Sequence, residues 1–332
     1  MYDCQWDFFR VYGNFSLRLS VKIFYAGRRI RGDFMQDKFN ELLMSMRPDT
    51  PRTIALCCAT DVHALRAVID AHKMGFANAI LCGDKNEIER VAIDNKLDIS
   101  DFEILHCEDE LSAAGSAVSL VRDGRANILM KGQIHTADIL RAVLNRETGI
   151  RGDGILSHVS VLYSQSRKRT LFLTDIAMVM YPTLEQKVGL IKNAVSFVRR
   201  MGVSCPRVAP LCAVETLNPA MQATVDADAL QKMNANGEIQ DCIISGPISF
   251  DIAVSHDAAC AKKYTGPIQG DADILLFGNI EAGNNTIKAM VQFGDWIFGG
   301  LVLGARAPII LNSRSDSKLS KLYSICCACK NL

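Results

Sequence analysis

Ser313, Arg314 and Asp316 stand within four residues of one another, directly after the apolar run Ile309-Ile310-Leu311. Side chains this close cannot all be buried, because unpaired charges in an apolar core cost several kcal/mol. A strand end that opens onto a cleft would instead let them converge on a ligand. Arg314 offers a planar fork suited to phosphate or carboxylate, Ser313 a short donor and acceptor, and Asp316 a proton acceptor. The plainer alternative is a turn followed by a helix cap, with Asp316 or Ser317 starting the terminal helix.

Two further segments have a form that binds anions. Asn279-Ile280-Glu281-Ala282-Gly283-Asn284 follows an apolar run and opens a helical period, and Lys288 lies one turn further on. Free N–H groups and the positive dipole end of such a helix point at a ligand, and Gly283 permits close backbone approach; the alternative is a well-capped surface helix with a solvated lysine. Met130-Lys131-Gly132-Gln133-Ile134-His135-Thr136 repeats the strand, glycine and helix order, with Arg141 further along the helix. In parallel α/β sheets ligands collect at the carboxyl ends of the strands. Basic groups at three such ends therefore point to one anion site, although His135 alone more often serves structure than chemistry. The sequence contains no Gly-x-Gly-x-x-Gly, no Walker loop and no His-Glu-x-x-His, which argues against dinucleotide, ATP and zinc-hydrolase chemistry.

The elements that must position these groups follow from periodicity. From residue 53 short β-branched runs alternate with helical periods, the signature of βαβ units and a parallel sheet. Strands are expected at Thr53 to Ala59, Ala79 to Cys82, Phe102 to Leu105 and Ile128 to Met130. Asp61 and Asp84 cap the intervening helices, Glu87 completing a capping box with Asp84. Gly152-Asp153-Gly154 reads as a hinge. Beyond it, Leu156 to Tyr163 and Thr170 to Thr174 flank a polar hairpin loop, and Thr183 with Gln186 caps a long helix closed by Gly202. One helix is expected over Asp251 to Lys263, and strands return at Phe298 to Leu303 and Ile309 to Leu311.

This pattern predicts an α/β, two-domain fold of mostly parallel sheets with helices on both faces. Residues 35–152 plus 299–332 form the first domain, and residues 153–298 a second domain inserted into it. Residues 1–34, aromatic and basic without a sustained period, read as an extra N-terminal segment or a start assigned too early.

Composition limits the partners. The 332 residues carry 37 Lys plus Arg against 36 Asp plus Glu, so no net field draws the chain to nucleic acid or an anionic membrane. No apolar run approaches the roughly 20 residues a membrane span needs, and the N-terminus lacks a signal-peptide core, so a cytoplasmic location is expected. Twelve cysteines scattered through apolar segments fit reduced, buried thiols, with Cys326, Cys327 and Cys329 packing one face of the last helix rather than holding zinc.

Several segments together resemble the phosphate acetyl/butyryl transferase family from about Met35 to the C-terminus. They include the three already given, Leu156-Ser157-His158-Val159, Thr174-Asp175-Ile176-Ala177-Met178 and Pro182-Thr183-Leu184-Glu185-Gln186-Lys187-Val188. Ala213-Val214-Glu215-Thr216-Leu217-Asn218-Pro219 and Gly270-Asp271-Ala272-Asp273-Ile274-Leu275-Leu276 complete the set. The resemblance implies an isocitrate/isopropylmalate dehydrogenase-like fold, a cleft between domains, a homodimer, and reversible acyl transfer between CoA and phosphate. It places Ser313, Arg314 and Arg141 at the active site; the residue types themselves make Asp316 the candidate thiol base and Lys131, Thr136, Gly283, Asn284 and Lys288 the candidate substrate contacts. No bound cofactor or metal is implied; acyl-CoA and phosphate are substrates, and the acyl phosphate would pass to an acyl kinase. Gln292 stands where the acetyl branch carries an arginine, which favours the butyryl branch over acetyl-CoA. A metal- and NAD-dependent dehydrogenase of the related fold is a weaker reading, Asp226 and Asp228 being its one inviting acidic pair, on a helix expected to be solvated. An inactive acyl-CoA-binding relative is the third.

Overall fold

The computed structural model describes residues 39–313 and 316–332. Arg314 and the segment 1–34 lie outside the described residues. The chain divides into two compact units, Met1–Leu42 and Leu43–Leu332. The first is helical where it is described, over residues 39–42.

The second unit opens as the alternation predicts. Strands β1 (Arg52–Cys57), β2 (Ala77–Gly83), β3 (Glu103–His106) and β4 (Ile128–Lys131) are separated by helices α1 (Val62–Lys73), α2 (Lys85–Asp94) and α3 (Glu110–Arg122), and α4 (Thr136–Leu144) follows β4. Asp61 starts α1 by accepting from the His63 and Ala64 amides, and Asp84 starts α2 by accepting from Glu87 N. Each carboxylate thus satisfies donors that a helix start leaves open. A hairpin follows, β5 (Ser157–Ser164) and β6 (Arg169–Thr174), and then helix α5 (Leu184–Arg200), which starts in a Thr183/Gln186 capping box. Next come β7 (Arg207–Pro210), α6 (Gln222–Ala235), β8 (Ile243–Ile244), α7 (Phe250–Val254), α8 (His256–Ala261) and β9 (Ile274–Leu276). Helix α9 (Ile280–Phe293), β10 (Trp296–Leu303), β11 (Ile309–Ile310) and α10 (Lys318–Lys330) complete the unit.

The structure corrects three expectations. The single helix over 251–263 is broken, because Ser255 is extended at φ −136° and its side chain caps α8 by accepting from Ala258 N. The terminal helix is not amphipathic: Ser320 to Cys329 are all buried, since α10 packs on α1 and β10 together. Asp226 is not solvated either; it is buried and pairs with Lys187 at 2.5 Å, leaving its carboxylate neutralised by an ammonium.

The strands join in one 11-stranded sheet, ordered β3-β2-β1-β4-β11-β10-β5-β6-β9-β7-β8. Within it the pairs β11/β10, β10/β5 and β5/β6 are antiparallel and the rest parallel. The sheet therefore holds two parallel sets of opposite sense, joined through the central β10/β5 pair. Register brings their carboxyl ends to one level. Val302 pairs with Ile309, so β11 leaves the sheet just beyond Val302; Ser160 pairs with Leu173, so β6 leaves it just before Ser160. Val302 itself pairs with His158 and Gly300 with Ser160. Two sets of strand ends thus meet over residues 158–160, the kind of switch point where α/β sheets bind ligands.

Candidate active site

Two adjoining cavities occupy this meeting point. The smaller, about 460 Å³, is lined by Lys131, Ile134, His135, Thr136, His158, Ala177, Met178, Val302, Leu311, Asn312 and Ser313. The larger, about 650 Å³, has a polar mouth with Asn284, Lys288, Gln292 and Asp316, and apolar walls of Ile176, Ile287, Val291, Trp296, Phe298 and Leu319. His158, Ala177, Leu311, Asn312 and Ser313 border both.

The loop after β11 is built by Asp316 and Lys321. Asp316 Oδ2 accepts from Ser313 N at 2.8 Å and Asn312 Nδ2 at 3.1 Å, while the buried Lys321 Nζ donates to Ser313 O at 3.0 Å. The helix cap falls to Ser317, which accepts from Ser320 N. This is the turn-and-cap arrangement of the plainer sequence alternative, with Asp316 holding the turn and Ser317 the cap. Asn312 Oδ1 is buried and has no partner among the described residues. A buried acceptor left unsatisfied costs about 1–3 kcal/mol, so a donor on a bound ligand would find a ready partner there.

The glycines of the two helix-opening segments serve packing rather than ligand approach. A Cβ on Gly132 would fall 2.3 Å from Cys58 O, because the turn after β4 presses on the end of β1, where Gly132 N and Gln133 N each donate at 2.8 Å to Cys57 and Cys58 carbonyls. A Cβ on Gly283 would fall 2.8 Å from Ile176 Cγ2 and 2.9 Å from Asp175 O. The start of α9 is closed by its own Asn279, which accepts from Ala282 N, and Lys288 is exposed, the capped-helix form of this segment.

Most of the predicted side chains do converge. Lys131 is buried in the smaller cavity with Nζ 3.3 Å from Gly132 O, and Thr136 stands on its rim. Asn284 donates to Ile176 O at 3.2 Å, and the exposed Lys288 reaches the larger cavity. Arg141 does not line either cavity; 70% exposed, it pairs with Asp138 one turn back on α4.

His158 and Asp175 complete the site and were not singled out as site residues in the sequence. Asp175, 2% exposed, accepts at 2.9 Å from His158 N and at 2.7 and 2.8 Å from the Ala177 and Met178 amides, which folds the turn after β6 against β5. Burial pushes the His158 imidazole below its ordinary pKa, against the opposing pull of the Asp175 and Asp316 carboxylates. The signal for His158 was in the strand pattern. His158 and Ser160 share one face in the middle of a largely buried β5, and a buried sheet keeps polar pairs only where something satisfies them.

The family model "Phosphate acetyl/butaryl transferase" matches residues 111–329. The phosphate butyryltransferase of Clostridium acetobutylicum is 42% identical over 294 residues, 89% of this chain and 98% of that one. That of Clostridium beijerinckii is 44% identical over 294 residues, 89% of this chain and 97% of that one. Among solved structures, a branched-chain phosphotransacylase from Enterococcus faecalis superposes with a TM-score of 0.77 at 34% identity, covering 84% of this chain and 98% of that one.

Proposed function

Since the chain belongs to the phosphate acetyl/butyryl transferase family, we propose that it moves an acyl group reversibly between CoA and phosphate: butyryl-CoA plus phosphate gives butyryl phosphate plus CoA. The observation that carries this reading is the shared border of the two cavities. One is small, with a buried ammonium from Lys131; the other is wide, with an apolar wall of Ile176, Ile287, Val291, Trp296 and Phe298. The first suits phosphate and the second an acyl chain on a thioester, with the reacting carbonyl at Asn312 and Ser313.

Attack on that carbonyl builds negative charge on oxygen while charge also shifts to the leaving group, and fixed donors aimed at both are the expected source of rate. Ser313 and Arg314 take this role in the proposal. Lys131 and Thr136 hold the phosphate, and Asn284 and Lys288 the CoA entering along α9, which supplies positioning rather than bond-making. Arg141, outside both cavities, is assigned to the outlying CoA phosphates. Asp316, the base expected from sequence, already accepts two hydrogen bonds through Oδ2. It is assigned instead to holding the loop and supplying a fixed negative charge. The finer fold reading, isocitrate/isopropylmalate dehydrogenase-like with residues 153–298 as a second lobe, is supported by the two parallel strand sets of opposite sense. Assembly as a homodimer and delivery of the acyl phosphate to an acyl kinase belong to the same proposal.

Thiol release from butyryl-CoA is the test. Release that requires phosphate, with acyl phosphate trapped by hydroxylamine, supports the transfer. Binding without turnover, or release indifferent to phosphate, would sink it. Acetyl-CoA assayed alongside decides between the butyryl and acetyl branches.

A further inference from the structure

Among the described residues that border both cavities, His158 is the titratable one. Its ring is seated by design of the strand beside it. A Cβ on Gly300 would fall 2.7 Å from His158 Cε1 and 2.8 Å from Nε2, so only glycine at that position lets the imidazole lie across β10. On the other edge Nδ1 stands 3.5 Å from Ser160 Oγ, and the backbone N–H is held by Asp175 Oδ2 at 2.9 Å. With Nδ1–H directed to Ser160 Oγ, Nε2 is the acceptor nitrogen; it lies beside Gly300, and His158 and Gly300 both line the larger cavity.

We propose that His158 is a further catalytic residue, the carrier of the proton between the CoA thiol and the phosphate oxygen. This rests on the acyl-transfer reading above. In the direction of acyl-CoA synthesis, neutral His158 takes the thiol proton on Nε2. The thiolate attacks the acyl phosphate carbonyl, the C–S bond forms, and the bond from carbonyl carbon to phosphate oxygen breaks. The imidazolium returns the same proton to the departing phosphate, which leaves as hydrogen phosphate. Reversal runs through the same atoms, and no other reactant is needed.

A free thiol with a pKa of about 8.5 is only a few per cent thiolate at neutral pH, so a nearby proton acceptor raises the rate, and burial keeps the imidazole in its neutral, accepting form. The charged and titratable groups around it come from every neighbouring element: Asp175 after β6, Asp316 before α10, Lys131 at the end of β4, His135 at the start of α4 and Lys288 on α9. The two carboxylates stabilise the transient imidazolium.

His158→Gln tests the assignment. Phosphate-dependent CoA release from butyryl-CoA is followed from about pH 5 to 9, and CoA binding is read from the fluorescence of Trp296, which lines the larger cavity. The expected result is a kcat loss of roughly 10²-fold or more, unchanged CoA binding, and disappearance of the acid limb seen in the wild type. If that variant does not fold, Gly300→Ala pushes the ring aside while leaving it titratable; kcat is expected to fall with the acid limb retained. A folded His158→Gln enzyme with wild-type kcat and acid limb, a change in KM alone, or a Gly300→Ala enzyme of full activity would overturn the proposal. Wild-type protein that releases no CoA in phosphate would defeat the transferase reading itself, and this proposal with it.

Discussion

Lys321 on α10 donates to Asp61 Oδ2 at 3.1 Å across 260 residues of sequence, with both side chains buried. The other Asp61 oxygen caps α1 through His63 N at 2.8 Å and Ala64 N at 3.0 Å, and Lys321 also donates to Ser313 O at 3.0 Å. One ion pair thus joins the first helix, the last helix and the loop that carries Ser313.

Lys321→Met leaves the Asp61 carboxylate buried and unpaired, which is expected to cost about 3–5 kcal/mol of stability in urea denaturation. Its kcat should fall as well, because the Ser313 carbonyl loses its tether. Adding Asp61→Asn should recover much of the stability and none of the kcat. Recovery of both would reduce Lys321 to a packing role.

Arg314→Lys keeps the charge and loses the bidentate fork. If the guanidinium stabilises charge that develops in the transition state, kcat and kcat/KM should fall together, measured with butyryl-CoA and phosphate. A raised KM for phosphate at unchanged kcat would move Arg314 to ground-state binding.

Asp316→Asn is expected to move the acid limb of the rate profile to lower pH. The Asp316 charge raises the His158 pKa, so neutralising it lets burial depress that pKa further, and the imidazole stays neutral into more acid solution. An Asp316 that is itself the base predicts a different pattern: a loss of roughly 10²-fold or more, partly regained at high pH as free thiolate accumulates.

Ile287→Phe adds bulk to the apolar wall of the larger cavity, where Ile287 is 6% exposed. The ratio of kcat/KM for butyryl-CoA over acetyl-CoA should fall, since each methylene in such a pocket is worth about 1–3 kcal/mol. An unchanged ratio would place the acyl chain elsewhere.

His158 also links folding to pH. Its folded-state pKa lies below the unfolded value, so the unfolded chain binds the proton more readily, and stability is present above the unfolded pKa near 6.5. It should be lost as pH falls from there through the folded pKa. The melting temperature of the wild type should therefore drop more steeply between about pH 7 and 5 than that of His158→Gln, and parallel curves would remove His158 from the acid sensitivity.

The local elements were legible in the sequence because their signals are local. Asp61, Asp84 and Thr183 announced helix starts within a few residues, and the β-branched runs marked the strands. Lys131, Thr136, Asn284, Lys288 and Ser313 could be named because each lies at a strand end or in the segment that follows it, and they border the two cavities together. Arg141 lies outside both cavities, since a place on the right helix does not determine which way a side chain turns, and Asp138 holds it outward.

Sequence alone determined the alternation of strand and helix, the helix starts, the near-zero net charge and the strand ends that carry polar groups, because each is set by neighbours a few residues away. Tertiary structure decided the rest. Strand order and register bring residues 158–160 opposite 300–302 and between the ends of β11 and β6, and burial among those strands shifts His158. Asp316 is turned from a free carboxylate into a loop clamp by Asn312 and Ser313. Hydrogen-bond register and dielectric environment are properties of segments that meet only on folding, so no local pattern encodes them.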